Sequence, residues 1–207
     1  MNVTFSSSQR LFNPSLYWEI LEYAGSASAV CCRTGRIQFT YYKSGTGSGG
    51  LVNTRYVTGI LDALRAEGSI RVNEELAGVY EAWCAEHPFD KGKGWGQEPW
   101  SQEEMPLDDK TAARAAQVSD AALVIIGRTA GEDQDTKAEP GSYLLTDKEK
   151  AMIRTVSRHF ARTAVLLNVG NIIDMKMGGG LCAFRCPLCM AGRYGRRERR
   201  GGCAYRK

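Results

Sequence analysis

Histidine is nearly absent from this chain, with two among 207 residues. His87 and His159 stand far apart and neither has a companion, so no Ser/His/Asp arrangement can be argued. Long apolar runs are missing as well. None approaches the roughly 18–20 residues that a membrane-crossing helix needs, so no membrane partner is expected. The opening residues, MNVTFSSSQRLFNPSLYWEI, lack a basic segment followed by an apolar one. No secretory signal is therefore expected, and the cytoplasm is the expected location. Cysteine is odd in number, at seven, which without a signal argues against a disulfide framework.

Acid is scarce in one place only. From Lys176 to Lys207 there are nine Lys or Arg and a single acid, Glu198, whereas the preceding 175 residues carry 18 bases and 22 acids. The net charge of +4 thus belongs to the tail, and a nucleic-acid role would have to rest there. That tail holds Cys182, Cys186, Cys189 and Cys203 around an arginine cluster. Four thiols are enough to hold zinc, and the arginines could meet phosphate. Nothing in the rest of the chain calls for either, so neither a metal nor a nucleic-acid partner is expected, and a zinc- and nucleic-acid-binding protein acting through this tail stands as an alternative reading.

What is present is the patterning of an α/β protein. RIQFTYY, residues 36–42, alternates β-branched and aromatic side chains and predicts a strand. The glycine-rich KSGTGSGG follows, and then NTRYVTGILDALRAEG puts Val57, Ile60, Leu61 and Leu64 on one helical face. A second helix is expected from Asn73 to just before Pro88. Residues 88–106 are too rich in Gly and Pro for regular structure and carry Phe89, Trp95 and Trp100, so they predict a long loop. DKTAARAAQVSD reads as helix, AALVIIG as an apolar strand and RTAGEDQDTKAEPGSY as a polar loop. In LLTDKEKAMIRTVSRHFAR a helix opens on Thr146 with Glu149 three positions on, a capping box. TAVLLNVG is a second apolar strand. Strands apolar on both faces and separated by helices predict a parallel sheet covered on both sides.

Two loops carry candidate chemistry. Gly45, Gly47 and Gly50 satisfy G-x-G-x-x-G between a strand and a helix, with Glu67 near the distance of a ribose-binding acid. Glycines there would let backbone N–H groups approach a pyrophosphate. A dinucleotide-binding module is the alternative reading this leaves open. The acids Glu132, Asp133, Asp135 and Glu139 follow an apolar strand, at the end of a parallel sheet where ligands sit. Crowded carboxyls hold their protons more tightly, which suits a general acid; a solvated acidic loop has the same composition.

Taken together, GRIQFTYYKSGTGSGGLVN, HPFDKGKGWGQEPWSQEEMPL, SDAALVIIGRTAGEDQD, EPGSYLLTDKEKAMI and AVLLNVGNIIDM resemble the α/β sandwich domain of the glycoside hydrolase family 3 β-glucosidases. The resemblance runs in order from Gly35 to Met175. It implies retaining hydrolysis of a terminal β-linked sugar, with no cofactor. A barrel aspartate would attack the anomeric carbon while a carboxyl of the sandwich domain protonates the leaving oxygen. Matched by position in RTAGED, that acid/base falls on Glu132. Lys43, Gly45, Gly47, Gly49, Arg128 and Asp133 become expected substrate or interdomain loop residues. The implied partner is a β-linked glucoside or oligosaccharide, once a barrel domain completes the site.

No stretch of the 207 residues resembles that barrel or its Ser-Asp-Trp-like nucleophile motif. The chain is therefore expected to carry the acid/base loop alone and to be inactive by itself. Residues 24–34, AGSASAVCCRT, stand where the family has an apolar strand and its lead-in, so the sheet is expected to lack strands at both ends. Codons permitted for Cys186 to Arg199, read one nucleotide later, spell Val-Leu-Tyr-Val-Trp-Gln-Gly-Gly-Met-Glu-Gly-Gly-Asn, similar to the family's continuation. Three segments are expected: an atypical lead-in over 1–34, the sandwich domain over 35–175, and an out-of-frame basic tail over 176–207. The expected fold is a partial three-layer α/β/α sandwich with a mostly parallel sheet, incomplete at its edges, ending in a disordered basic tail.

Overall fold

In a computed structural model of the chain, the described residues are 30–39, 59–67, 70–94, 97–129, 134–169, 172–176 and 182–185. They form an α/β sandwich built on a parallel sheet of five strands. The strands are β1 (Val30–Thr34), β2 (Arg71–Val72), β3 (Ala121–Arg128), β4 (Thr163–Val169) and β5 (Cys182–Arg185). Their spatial order is β2-β1-β3-β4-β5. The helices are α1 (Ile60–Glu67), α2 (Glu74–Glu86), α3 (Asp109–Gln117) and α4 (Asp147–His159).

The central strands β3 and β4 are buried along nearly their whole length because both faces are covered. All eight residues of β3 are buried, and β4 is buried from Thr163 to Asn168. One face offers Cys32, Ala122, Val124, Ile126, Val165 and Leu167 to a core completed by Leu76 and Tyr80 of α2, Ala112 and Ala115 of α3, and Met152, Ile153 and Val156 of α4. The alternate residues Leu123, Ile125 and Leu166 are buried on the opposite face. Ile60, Leu61 and Leu64 of α1 are also buried, as the helical spacing predicts.

Helix starts follow local chemistry. Asn73 Oδ1 accepts the Leu76 N–H at 3.1 Å, and Asp108 Oδ1 accepts the Thr111 N–H at 2.7 Å. At α4 the expected capping box forms: Thr146 Oγ1 accepts from Glu149 N at 3.1 Å, and Glu149 Oε2 accepts from Thr146 N at 2.8 Å. Each such cap satisfies donors that a helix leaves free at its first turn.

Three expectations change. The predicted strand over 36–42 is replaced at Arg36–Gln38 by a single 3-10 turn. Gly35 causes this, because its φ of 105° turns the chain out of the extended direction directly after β1. A Cβ there would lie 2.2 Å from the Ile125 carbonyl oxygen, so only glycine lets the turn pass over β3. Second, the segment expected to lack a strand supplies β1, which pairs with β2 on one side and β3 on the other. Third, Cys182–Arg185, inside the expected tail, pairs in parallel with Ala164–Leu167 as β5. Residues 186–207, with the remaining tail cysteines and arginines, lie outside the described residues. Among the described residues no helix is long and apolar enough to cross a membrane.

Candidate active site

The strand order creates one place where neighbouring connections diverge. From β1 the chain moves outward to β2; it then returns to β3 on the other side of β1 and continues through β4 to β5. The carboxyl ends of β1 and β3 therefore flank a topological switch point, where parallel α/β sheets open a crevice for ligands. The loops singled out from the sequence leave from these two adjacent strand ends. The glycine-rich stretch comes after β1 and its 3-10 turn, and the acid-bearing stretch comes after β3. Lys43, Gly45, Gly47, Gly49, Gly50, Glu132 and Asp133 lie outside the described residues. The residues on either side of them build the frame from which their loops spring.

At the end of β3, Arg128 is 1% exposed and spends its guanidinium inside the protein. Its Nε donates to the Ser142 carbonyl at 3.0 Å, and Nη1 donates to the Gly127 carbonyl at 2.7 Å. Nη2 donates to the Leu144 carbonyl at 3.3 Å. Both terminal nitrogens meet Glu149, at 2.6 and 2.8 Å. All five donors of the fork are thus matched, which lets a buried cation persist. Arg128 closes the base of the 129–145 loop and ties it to α4. Its side chain is a brace within the frame, and none of its donors faces outward.

Described residues of the long loop over 88–108 touch both strand ends, meeting Arg36 after β1 and Thr129 after β3. Gln102 and Asp90 bind reciprocally: the Asp90 N–H donates to Gln102 Oε1 at 2.8 Å, and Gln102 Nε2 donates to the Asp90 carbonyl at 2.9 Å. Further along, Glu104 is 5% exposed and accepts from two backbone N–H groups. The Arg36 N–H reaches its two oxygens at 3.2 and 3.0 Å, and the Met105 N–H reaches Oε1 at 2.9 Å. Burial raises its pKa to about 7; the two N–H groups pull it down, and the Glu149 charge adds to the rise. Glu104 thereby pins the turn that leads into the glycine-rich stretch. Arg36 returns the grip, donating through Nη1 to the Glu103 carbonyl at 3.0 Å and through Nη2 to the His87 carbonyl at 2.7 Å.

Glu98 meets the acid-bearing loop itself. Thr129 Oγ1 donates to Glu98 Oε2 at 3.1 Å, and Gln134 Nε2 donates to the Glu98 carbonyl at 3.3 Å. The Thr129 N–H donates to the Trp100 carbonyl at 3.0 Å. Burial pushes the Glu98 carboxyl pKa up, the Thr129 hydroxyl pulls it down and the Asp90 charge adds to the rise.

Neither histidine stands alone. His87 stacks on Trp83 with ring centroids 4.1 Å apart and places Nδ1 2.9 Å from the Trp83 carbonyl. His159 Nε2 lies 2.9 Å from Asp109 Oδ1, joining the end of α4 to the start of α3. Glu98, Thr129, Glu104 and the second role of Glu149 carry no sequence signal beyond an acidic run in an aromatic loop, since their partners are distant in the chain.

Known proteins share this outline. Residues 23–181 match the family model described as "Glycosyl hydrolase family 3 C-terminal domain". Over 148 residues the chain is 60% identical to a beta-glucosidase of Ruminococcus albus, covering 72% of this chain and 16% of that protein. The crystal structure of a beta-glucosidase from Paenibacillus barengoltzii is 56% identical, with a TM-score of 0.70 over 72% of this chain and 16% of that one. The structure of beta-glucosidase 3B from Thermotoga neapolitana in complex with glucose is 30% identical, with a TM-score of 0.63 over 72% of this chain and 21% of that one. The chain thus spans 16% of the length of the Ruminococcus albus relative.

Proposed function

Because the chain belongs to glycosyl hydrolase family 3 through its C-terminal domain, we propose that it supplies the acid/base half of a retaining β-glucosidase site. The observation that supports this reading is the strand order, in which β1 and β3 are neighbours whose carboxyl ends flank the topological switch point. On the β3 side the loop holds Glu132 and Asp133, and on the β1 side the loop holds Lys43, Gly45, Gly47 and Gly49. The substrate is a β-linked glucoside or oligosaccharide lying between this face and a barrel domain that provides the nucleophile. The cytoplasm remains the proposed location.

In the first step a barrel carboxylate attacks the anomeric carbon as the glycosidic C–O bond breaks. Glu132 gives its proton to the departing oxygen, leaving a glycosyl-enzyme ester and a Glu132 carboxylate. In the second step that carboxylate takes a proton from water, whose oxygen displaces the barrel carboxylate and restores the anomeric configuration. Glu132 must hold its proton at the start of the cycle, so a crowded acidic loop in a partly desolvated crevice suits the task. Arg128 contributes by fixing the loop base.

The purified 207-residue chain is expected to release no nitrophenol from 4-nitrophenyl β-D-glucoside. Supplied with a family 3 barrel domain, it is expected to hydrolyse alkyl β-glucosides, and Glu132→Gln is expected to abolish that turnover. Glu132→Gln should spare glycosyl-enzyme formation from a dinitrophenyl glucoside, whose leaving group needs no proton. Turnover of alkyl glucosides that survives Glu132→Gln would refute the assignment.

A further inference from the structure

We propose that the cavity beside the turn after β1 is a binding site for a neutral sugar unit, separate from the residues that carry hydrolysis. Its volume is about 390 Å³, within the roughly 300–1,000 Å³ of small-molecule pockets. Arg36 lines it together with His87, Pro88, Pro99, Ser101 and Gln102. The inference rests on the reading above only for the saccharide class of the ligand, and nothing in it depends on Glu132.

Two of the polar lining residues are buried, Arg36 at 5% exposure and Gln102 at 7%. Among the described residues, the Glu103 and His87 carbonyls take two of the five guanidinium N–H groups of Arg36. Gln102 exchanges hydrogen bonds with the main chain of Asp90, which sets the orientation of its amide and leaves it one N–H and one lone pair. His87 Nδ1 lies 2.9 Å from the Trp83 carbonyl, which can only accept. Nδ1 therefore carries the proton, and the neutral ring keeps Nε2 as an acceptor. Ser101 adds a hydroxyl that both gives and takes. These groups are in place before any ligand arrives. His87 stacks on Trp83, the Arg36 guanidinium lies 5.3 Å from the centroid of a Trp83 ring, and Glu104 grips the Arg36 N–H. A site prepared in this way loses little freedom on binding.

Charge selects the ligand. Glu86, Asp90 and Glu103 complete the lining, and their carboxylates disfavour an anion. Lys148 Nζ, 2.6 Å from Glu103 Oε1, offsets one of them, and the buried Arg36 cation disfavours an ammonium group. A neutral molecule whose groups both donate and accept satisfies the two conditions, and a sugar ring is of that kind. Its hydroxyls give to the carboxylates and to His87 Nε2, and take from the guanidinium and the Gln102 amide. Its C–H face has the rings of Pro88 and Pro99 to rest on. Arg36 follows the end of β1 by two residues, and Pro99 adjoins Glu98, which meets Thr129 beyond β3. The site thus holds a sugar unit beside the switch point and takes no part in bond cleavage.

The test is an NMR titration of the 207-residue chain with methyl β-D-glucoside, glucuronate and glucosamine, which share a ring and differ in charge. The glucoside is expected to shift the Gln102 side-chain amide, the Arg36 Nε–H and the Ser101 amide along one saturable curve. Ser101→Ala and His87→Phe, which keeps a ring on Trp83, should each weaken binding about two- to tenfold, the contribution of one hydrogen bond. Ser101 is only partly buried, so its variant keeps the test decisive if His87→Phe disturbs the end of α2. Glucuronate and glucosamine should bind about fivefold more weakly than the glucoside, or worse. Absence of saturable shifts, wild-type affinity in both variants, or tighter binding of either charged sugar overturns the proposal. Shifts confined to residues 129–134 would put the sugar in the crevice instead, overturning this site and leaving the acid/base reading standing.

Discussion

Replacing Glu104 with glutamine should flatten the pH dependence of folding stability between about pH 4.5 and 7. Glu104 is 5% exposed and its folded pKa is raised to about 7, first by burial and then by the charge of Glu149. The Arg36 and Met105 N–H groups and the Arg36 guanidinium act against that rise. A carboxyl whose folded pKa lies above its unfolded value binds its proton more tightly when folded. Its contribution is fully present below about pH 4.5 and is lost as pH rises through about 7. At about 1.4 kcal/mol per pH unit, that window amounts to roughly 3 kcal/mol. Glutamine keeps a carbonyl oxygen for the backbone donors and has no proton to lose. Urea unfolding at pH 5, 6, 7 and 8, followed by tryptophan fluorescence, gives stability for both proteins. The difference between them isolates this group from every other one. The glutamine variant should gain on wild type by roughly 3 kcal/mol across the series. Carboxyls with lowered pKa, such as Glu74 beside Arg65 and Asp108 at its cap, lose their contribution only below the range. A constant difference from pH 5 to 8 would refute the reasoning.

Two further substitutions probe the frame. Arg128→Met leaves Glu149 buried without its cation and should destabilise by about 3–5 kcal/mol, whereas Arg128→Met with Glu149→Leu should recover a large part of that loss; equal destabilisation of the single and double variants in urea would contradict the pairing. Gly35→Ala meets the Ile125 carbonyl at 2.2 Å and a φ of 105°, so it should lower stability by about 2 kcal/mol or more in the same assay.

Local chemistry was written plainly into parts of this chain and only faintly into others. Thr146 and Glu149 announce the start of α4 because both halves of a capping box lie within one turn. AALVIIG and TAVLLNVG announce β3 and β4 because strands buried on both faces need unbroken apolar runs. VCCRT does not announce β1, since Arg33 and Thr34 are fully buried polar residues in a five-residue strand. At Arg36–Gln38 the alternation of RIQFTYY yields to one preceding glycine and to Glu104, a partner 68 residues from Arg36, and residues 40–42 lie outside the described residues. At the site, the resemblance points to the two loops, and the strand order makes the strands that precede them neighbours. The clasping residues could not be read because they act across distances of 31 to 68 residues.

Glu149 both caps α4 and neutralises Arg128. Helix ends usually fray, opening and closing a turn at a time with little consequence elsewhere. Here the first turn of α4 cannot open without stripping a buried guanidinium of its counter-ion, so the end of this helix is bound to the fate of the sheet. Exchange at its leading amides should therefore report opening of the domain as a unit. The crevice-side end of β3 and the start of α4 then behave as one stiff joint, against which the acid-bearing loop can be pressed by a substrate or a neighbouring domain without the scaffold behind it yielding.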